Sequence, residues 1–131
     1  MMQPFEKSLP FKTDDVYHGF AELNGILHVE RDHLVLEFEI KDSFIGALKS
    51  GAKQLKIEYS ELAAMTYVRT FFKSRMELKI NNLRILTRFP GAKDGHISLK
   101  IKRRFKNEAE DLATYVRLRI AEIGLERLER E

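Results

Sequence analysis

The stretch HISLKIKRRFKNEAEDLATYVRLRIAEI, His96 to Ile123, changes its hydrophobic period partway along. Ile97, Leu99 and Ile101 alternate with Ser98, Lys100 and Lys102, the two-residue period of a half-buried strand. From Ala109 the spacing turns helical. Ala109, Leu112, Ala113, Val116, Ile120 and Ile123 share an arc of about 100° at 3.6 residues per turn. Asn107 suits an N-cap, Glu108, Glu110 and Asp111 complement the positive helix end, and Arg127 and Arg130 the negative one. The pattern predicts a helix over about 107–128, with Gly124 either stopping or weakening it.

Upstream of this switch the period is two. Leu34, Leu36, Phe38 and Ile40 alternate with Val35, Glu37, Glu39 and Lys41, which predicts a strand with one wet face. Phe20 to Glu30 reads as a strand bulged or bent at Asn24-Gly25, and Glu30-Arg31-Asp32-His33 as the turn after it. Gly46 and Gly51 bracket a loop with a short helical turn. Leu55, Ile57 and Tyr59, then Leu62 to Arg69, then Met76, Leu78 and Ile80 supply further strands. Asn81-Asn82 reads as a hairpin turn leading into a strand from Leu83 to Phe89, and Pro90-Gly91 and Asp94-Gly95 punctuate the loop before the last strand. The expectation is a mainly β domain of about seven antiparallel strands closed by one C-terminal amphipathic helix. Residues 1–15 contain Pro4 and Pro10 and show no period, so they read as a loose leader, and 16–131 as one domain.

Composition narrows the chemistry. A chain of 131 residues, 44% apolar and 33% charged, suits one globular domain rather than a disordered tail. Without cysteine there is no disulfide scaffold, thiolate nucleophile or cysteine-bearing zinc site. The N-terminus lacks a secretory apolar run and no apolar stretch reaches membrane-spanning length, which predicts a cytoplasmic protein, with peripheral membrane contact open to it. None of the seven glycines forms a phosphate-cradling element. His18, His28, His33 and His96 are scattered, and His28 and His33 with Asp32 make at most a thin ligand set across the first turn. Ser98 and His96 share a strand face only because of period two, and Glu37, Glu39 and Glu58 alternate with core positions. No catalytic, metal or cofactor residue is assigned, and the expected role is not enzymatic.

The order of seven strands and a closing helix, with Tyr59-Ser60-Glu61-Leu62 entering a strand and Phe89-Pro90-Gly91 leaving one, resembles the pleckstrin-homology superfamily, including its GRAM-like and bacterial members. The resemblance spans roughly Val16 to Arg127 and implies an open sandwich plugged by the final helix, with interaction rather than catalysis as its role. Phosphoinositide-binding members place a basic run across the first hairpin, where this chain has a single arginine, Arg31, between acids; it also has no tryptophan.

Charge and aromatics supply the candidate contacts. Net charge is −4 over residues 1–68, +10 over 69–106 and −3 over 107–131. Strand parity turns Arg75, Lys79, Arg84, Arg88, Lys100 and Lys102 outward, with Arg103 and Arg104 beyond. The resemblance makes the last three strands neighbours, so these cations would form one basic sheet face. Arg69-Thr70-Phe71-Phe72-Lys73 places two aromatics between cations, with at most one ring expected in the core. Leu118, Ala121, Leu125 and Leu128 form a second apolar stripe on the helix, suited to a partner or a second copy. The leading expectation is an interaction module for an acidic protein or an anionic membrane surface. Nucleic acid is the alternative for the same cations, though no aromatic platform stands between them, and a small enzyme with an unrecognised pocket is a further one.

Overall fold

The computed structural model describes residues 7–16, 21–42 and 51–130. Seven strands, β1 (Lys7–Val16), β2 (Ala21–Val29), β3 (His33–Asp42), β4 (Lys53–Glu58), β5 (Leu62–Arg69), β6 (Ser74–Ile80) and β7 (His96–Lys100), form one open antiparallel sheet. Two helices complete the order: α1 (Leu83–Arg88) between β6 and β7, and α2 (Lys106–Arg130) at the C-terminus. The strand order is β4-β3-β2-β1-β7-β6-β5, so two meanders are joined where β1 meets β7. Because α1 packs against both β4 and β6, which lie far apart in that order, the sheet must curl around a common core.

The alternations seen in the sequence build that core. Leu34, Leu36, Phe38 and Ile40 of β3, Met76, Leu78 and Ile80 of β6, and Ile97 and Leu99 of β7 are buried, while the residues between them face out. Ala109, Leu112, Ala113 and Val116 of α2 are buried against them, and Ile120 and Ile123 are half-buried at the edge. Phe89, just past α1, packs edge-on against Phe38 at 5.2 Å between ring centroids and lies 6.5 Å from Phe11 of β1.

Four expectations are corrected. The supposed leader is structured: Leu9, Phe11 and Thr13 alternate with Ser8, Pro10 and Lys12, and this strand pairs with β2 from Lys7↔Val29 to Val16↔Ala21. Pro10, which has no N–H to give a ladder, is tolerated there because the pairing of this strand with β7 is the single registered pair Lys12↔Lys100 and does not reach it. Leu83 to Phe89 is helical through Arg88 rather than a strand. Ile85 and Phe89 fit period two and the i,i+4 helical spacing equally, and Asn82 decides for the helix by accepting a hydrogen bond from the Arg84 N–H at 3.0 Å. Asn24-Gly25 is not a bulge, since β2 pairs with β3 without a break from Ala21↔Asp42 to Val29↔Leu34. Asn107 does not cap α2, because a 3-10 turn at Arg103–Phe105 runs straight into the helix at Lys106. The helix also continues through Gly124. The loop expected between Gly46 and Gly51, apart from Gly51, lies outside the described residues, as do residues 1–6 and Phe20.

Gly25 owes its place to close approach. A methyl group there would sit 2.3 Å from the Glu37 carbonyl oxygen and 2.6 Å from the Phe11 ring. The Phe11 ring therefore lies over the β2 backbone at a point only glycine leaves open. Tyr59, in the 3-10 turn at Tyr59–Glu61, is 2% exposed and its hydroxyl donates to the Glu30 carbonyl at 2.5 Å. Burial, with Tyr115, Asp32 and Glu30 nearby, pushes its phenol well above the ordinary range despite Arg119.

Two outcomes follow from these contacts. Gly25→Ala destabilises the protein by about 1–3 kcal/mol through overpacking, read as a lower urea midpoint at unchanged slope. Tyr59 stays protonated in the folded state after the unfolded chain has lost that proton, so it contributes fully below about pH 10 and the contribution is lost as pH rises. Tyr59→Phe removes this part of the alkaline decline, measured by denaturant melts across alkaline pH.

Candidate functional site

The β5–β6 hairpin ends in Thr70-Phe71-Phe72-Lys73, and neither ring enters the core: Phe71 is 84% and Phe72 87% exposed. The sequence allows at most one ring in the core, and neither is there, because the chain turns here and strand parity no longer applies. The rings pack on each other edge to face, 4.8 Å between centroids and 82° between planes. The turn beneath them is hydrogen-bonded. Thr70 N–H donates to the Lys73 carbonyl at 2.8 Å, and Lys73 N–H donates to the Thr70 hydroxyl at 3.0 Å. Arg103, from the segment after β7, donates to the Thr70 carbonyl at 2.7 Å and also to the Phe71 carbonyl. Ile101 N–H donates to the Ser74 carbonyl at 2.9 Å, so the chain leaving β7 is held along the base of the hairpin.

This arrangement gathers cations beside the aromatic pair. Arg69 and Lys73 flank it on the hairpin, both exposed, and Lys102 and Arg104 are exposed on either side of Arg103. One strand step away, Arg75 of β6 lies opposite Lys100 of β7, which lies opposite Lys12 of β1. Between Lys12 and Arg104 a depression of about 200 Å³ is lined by Pro10, Phe11, Asn24, Gly25 and Phe105 together with Lys12, Lys100, Lys102 and Arg104. The Arg104 guanidinium carbon lies 4.9 Å from the Phe105 ring centroid. Phe105 is half-buried against the core and has this cation over its ring, so it offers no open platform for stacking a base.

The predicted basic sheet face is thus redrawn. Arg75, Lys100, Lys102, Arg103 and Arg104 gather at the hairpin end. Lys79 lies four residues further along β6, opposite His96. Arg84 and Arg88 leave the sheet altogether, because their segment is α1. They line a separate cleft of about 500 Å³ with Lys56, Glu58, Glu61, Asn82 and Thr87. Acids temper that cleft: Lys56 bridges Glu58 at 3.2 Å, and Glu61 accepts from Glu58 N–H and from Asn82. The sheet face itself carries Glu77, which accepts from Ser98 at 2.8 Å while Arg75 donates to Ser98 at 3.3 Å. Lys12 and Pro10 escaped the sequence reading because their segment passed for a leader; the Leu9-Phe11-Thr13 alternation is the signal that marks them.

The remaining candidates fall elsewhere. The turn between β2 and β3 is held by α2: Arg119 donates to the Arg31 carbonyl at 2.9 Å and pairs with Asp32 at 3.2 Å and Glu122 at 2.6 Å. His28 lies between Ser8 and Glu37, at 2.9 and 3.2 Å, rather than facing His33, which pairs across to Glu58. Among the described residues no three His, Asp or Glu side chains converge, and no helix is long and apolar enough to cross a membrane. Leu118, Leu125 and Leu128 are exposed at 59, 61 and 67%, on the part of α2 beyond its buried residues.

The exposure of the tip separates it from stability. Phe71→Ala combined with Phe72→Ala shifts unfolding free energy by no more than about 0.5 kcal/mol, as expected of surface positions. Arg103→Ala instead speeds amide hydrogen exchange at Thr70 and Lys73, with the core strands unchanged.

No protein-family model matches the chain, and neither a curated protein nor a solved structure matches it.

Proposed function

We propose that the protein is a non-catalytic interaction module, pleckstrin-homology-like in type, which engages an anionic partner, an acidic protein or an anionic membrane surface, through the hairpin end of its sheet. The observation that carries this reading is the Phe71–Phe72 pair, exposed at 84 and 87% and set among Arg69, Lys73, Lys102, Arg103 and Arg104. Two exposed aromatic rings add nothing to the core, and Arg69, Lys73 and Lys102 crowd like charge around them, an arrangement that gains from an anionic partner. The apolar pair suits an interface core and the cations its polar rim. Near an anionic surface each cation contributes about 1 kcal/mol, screened as salt rises.

Position, rather than total charge, decides the test. Lys102→Glu with Arg104→Glu abolishes retention of the full chain on polyglutamate and on phosphatidylglycerol vesicles at low salt. Lys56→Glu with Arg88→Glu, the same change in net charge placed at the α1 cleft, leaves most of the retention in place. Equal losses from the two pairs would show a response to net charge alone and overturn the reading.

A further inference from the structure

The chemistry of the tip separates the two kinds of anionic partner, and we infer that the occupant of this surface is an anionic lipid bilayer, into whose interface the Phe71–Phe72 tip inserts. The inference rests on the reading that the hairpin end is the contact surface. A segment that leaves water for the headgroup and acyl boundary must keep its backbone polar groups satisfied, because lipid offers no replacement. This turn does so for five of the eight backbone groups of residues 70–73, with its own residues and Arg103, and leaves the Phe71 and Phe72 N–H groups and the Phe72 carbonyl to the hydrated headgroup layer. The N–H groups of Thr70 and Lys73 and the carbonyls of Thr70, Phe71 and Lys73 are all hydrogen-bonded within the protein. Arg103 thereby holds the loop in one shape before any partner arrives, so little ordering remains to be done on contact.

Shape and charge point the same way. The rings stand on a convex turn, edge to face, and a bilayer interface accepts a convex apolar wedge without a matching pocket. Aromatic rings are favoured at that depth. Lys73 and Arg69 on the hairpin and Lys102 and Arg104 beside Arg103 surround the wedge with long cationic side chains. Such side chains keep their heads among anionic headgroups while their stems lie along the apolar boundary. The Lys12–Lys100 depression beside them, lined by the four cations Lys12, Lys100, Lys102 and Arg104, suits a phosphate-bearing headgroup of the same surface.

The chain has no tryptophan, so Phe72→Trp gives the full-length protein a single indole at the tip. With vesicles of equal parts phosphatidylcholine and phosphatidylglycerol, its emission shifts to the blue and is quenched by lipids brominated on the acyl chains. With phosphatidylcholine alone it does neither. Phe71→Ala with Phe72→Ala lowers partition onto the anionic vesicles by about tenfold or more. Vesicle binding with a water-like, unquenched indole would overturn insertion and leave surface attachment standing. Binding to polyglutamate without binding to vesicles would overturn the lipid assignment in favour of an acidic protein. Binding to neither would overturn the underlying reading as well.

Discussion

The sheet depends on β1 lying between β2 and β7. Its long ladder to β2 belongs to the first meander, while its registered link to β7 is one pair, Lys12 opposite Lys100. Like charges directly opposite one another on neighbouring strands are unfavourable, and Arg75 extends the row on the next strand. The outer face therefore does not hold this seam together. The inner face does: Leu9 and Phe11 from β1 and Ile97, Leu99 and Ile101 from β7 and its continuation are buried in one core. Phe11 can enter that core because Gly25 leaves room for its ring. The burial of several large side chains, each stabilising by about 1.5–3 kcal/mol, outweighs repulsion between solvated cations.

The same seam positions the candidate surface. The chain leaving β7 at Ile101 is tied to Ser74, and Arg103 reaches two carbonyls of the adjacent turn. The strand pairing that completes the sheet thus delivers Lys102, Arg103 and Arg104 to the β5–β6 tip. The β2–β3 turn is closed off: Arg119 of α2 occupies it, and Tyr59 also anchors Glu30 there. The β2–β3 turn is bound into the protein's own structure, whereas the β5–β6 tip presents apolar and cationic groups to a partner.

Much of this architecture was legible in the sequence, for reasons that individual elements make plain. Strands β3, β6 and β7 alternate strictly, with one face buried and one wet, and α2 carries its buried residues on a single arc, so period alone identified them. Where one pattern served two structures, the reading failed. Ile85 and Phe89 satisfy both strand and helix spacing, and the deciding hydrogen bond, from Arg84 to Asn82, is local capping rather than periodicity. β1 was hidden by Pro10, which normally argues against a strand but is harmless where the pairing with β7 does not reach it. The expected count of seven strands held because a missed strand at the N-terminus offset a false one at α1. At the site, both phenylalanines and the cations other than Lys12 stand out in the sequence. Their assembly depended on Arg103 bridging from position 103 to Thr70 and Phe71, a contact between distant segments that no spacing rule encodes.

Among the described residues, three surfaces could meet a partner: the aromatic tip with its cations, the α1 cleft with Arg84 and Arg88, and the leucine stripe of α2. Among the described residues the tip pairs two exposed aromatic rings with the denser positive charge; the cleft has Leu83 beside Arg84 and Arg88, but acids neutralise much of it, and the helix end is rich in glutamate. The central claim is therefore one of location. The most direct measurement is a backbone amide chemical-shift map of the full chain titrated with anionic bicelles. The account predicts perturbations confined to residues 69–75 and 100–105, with Lys12 beside them. Perturbations centred on Lys56, Arg84 and Arg88, or on Leu118 to Leu128, would contradict it.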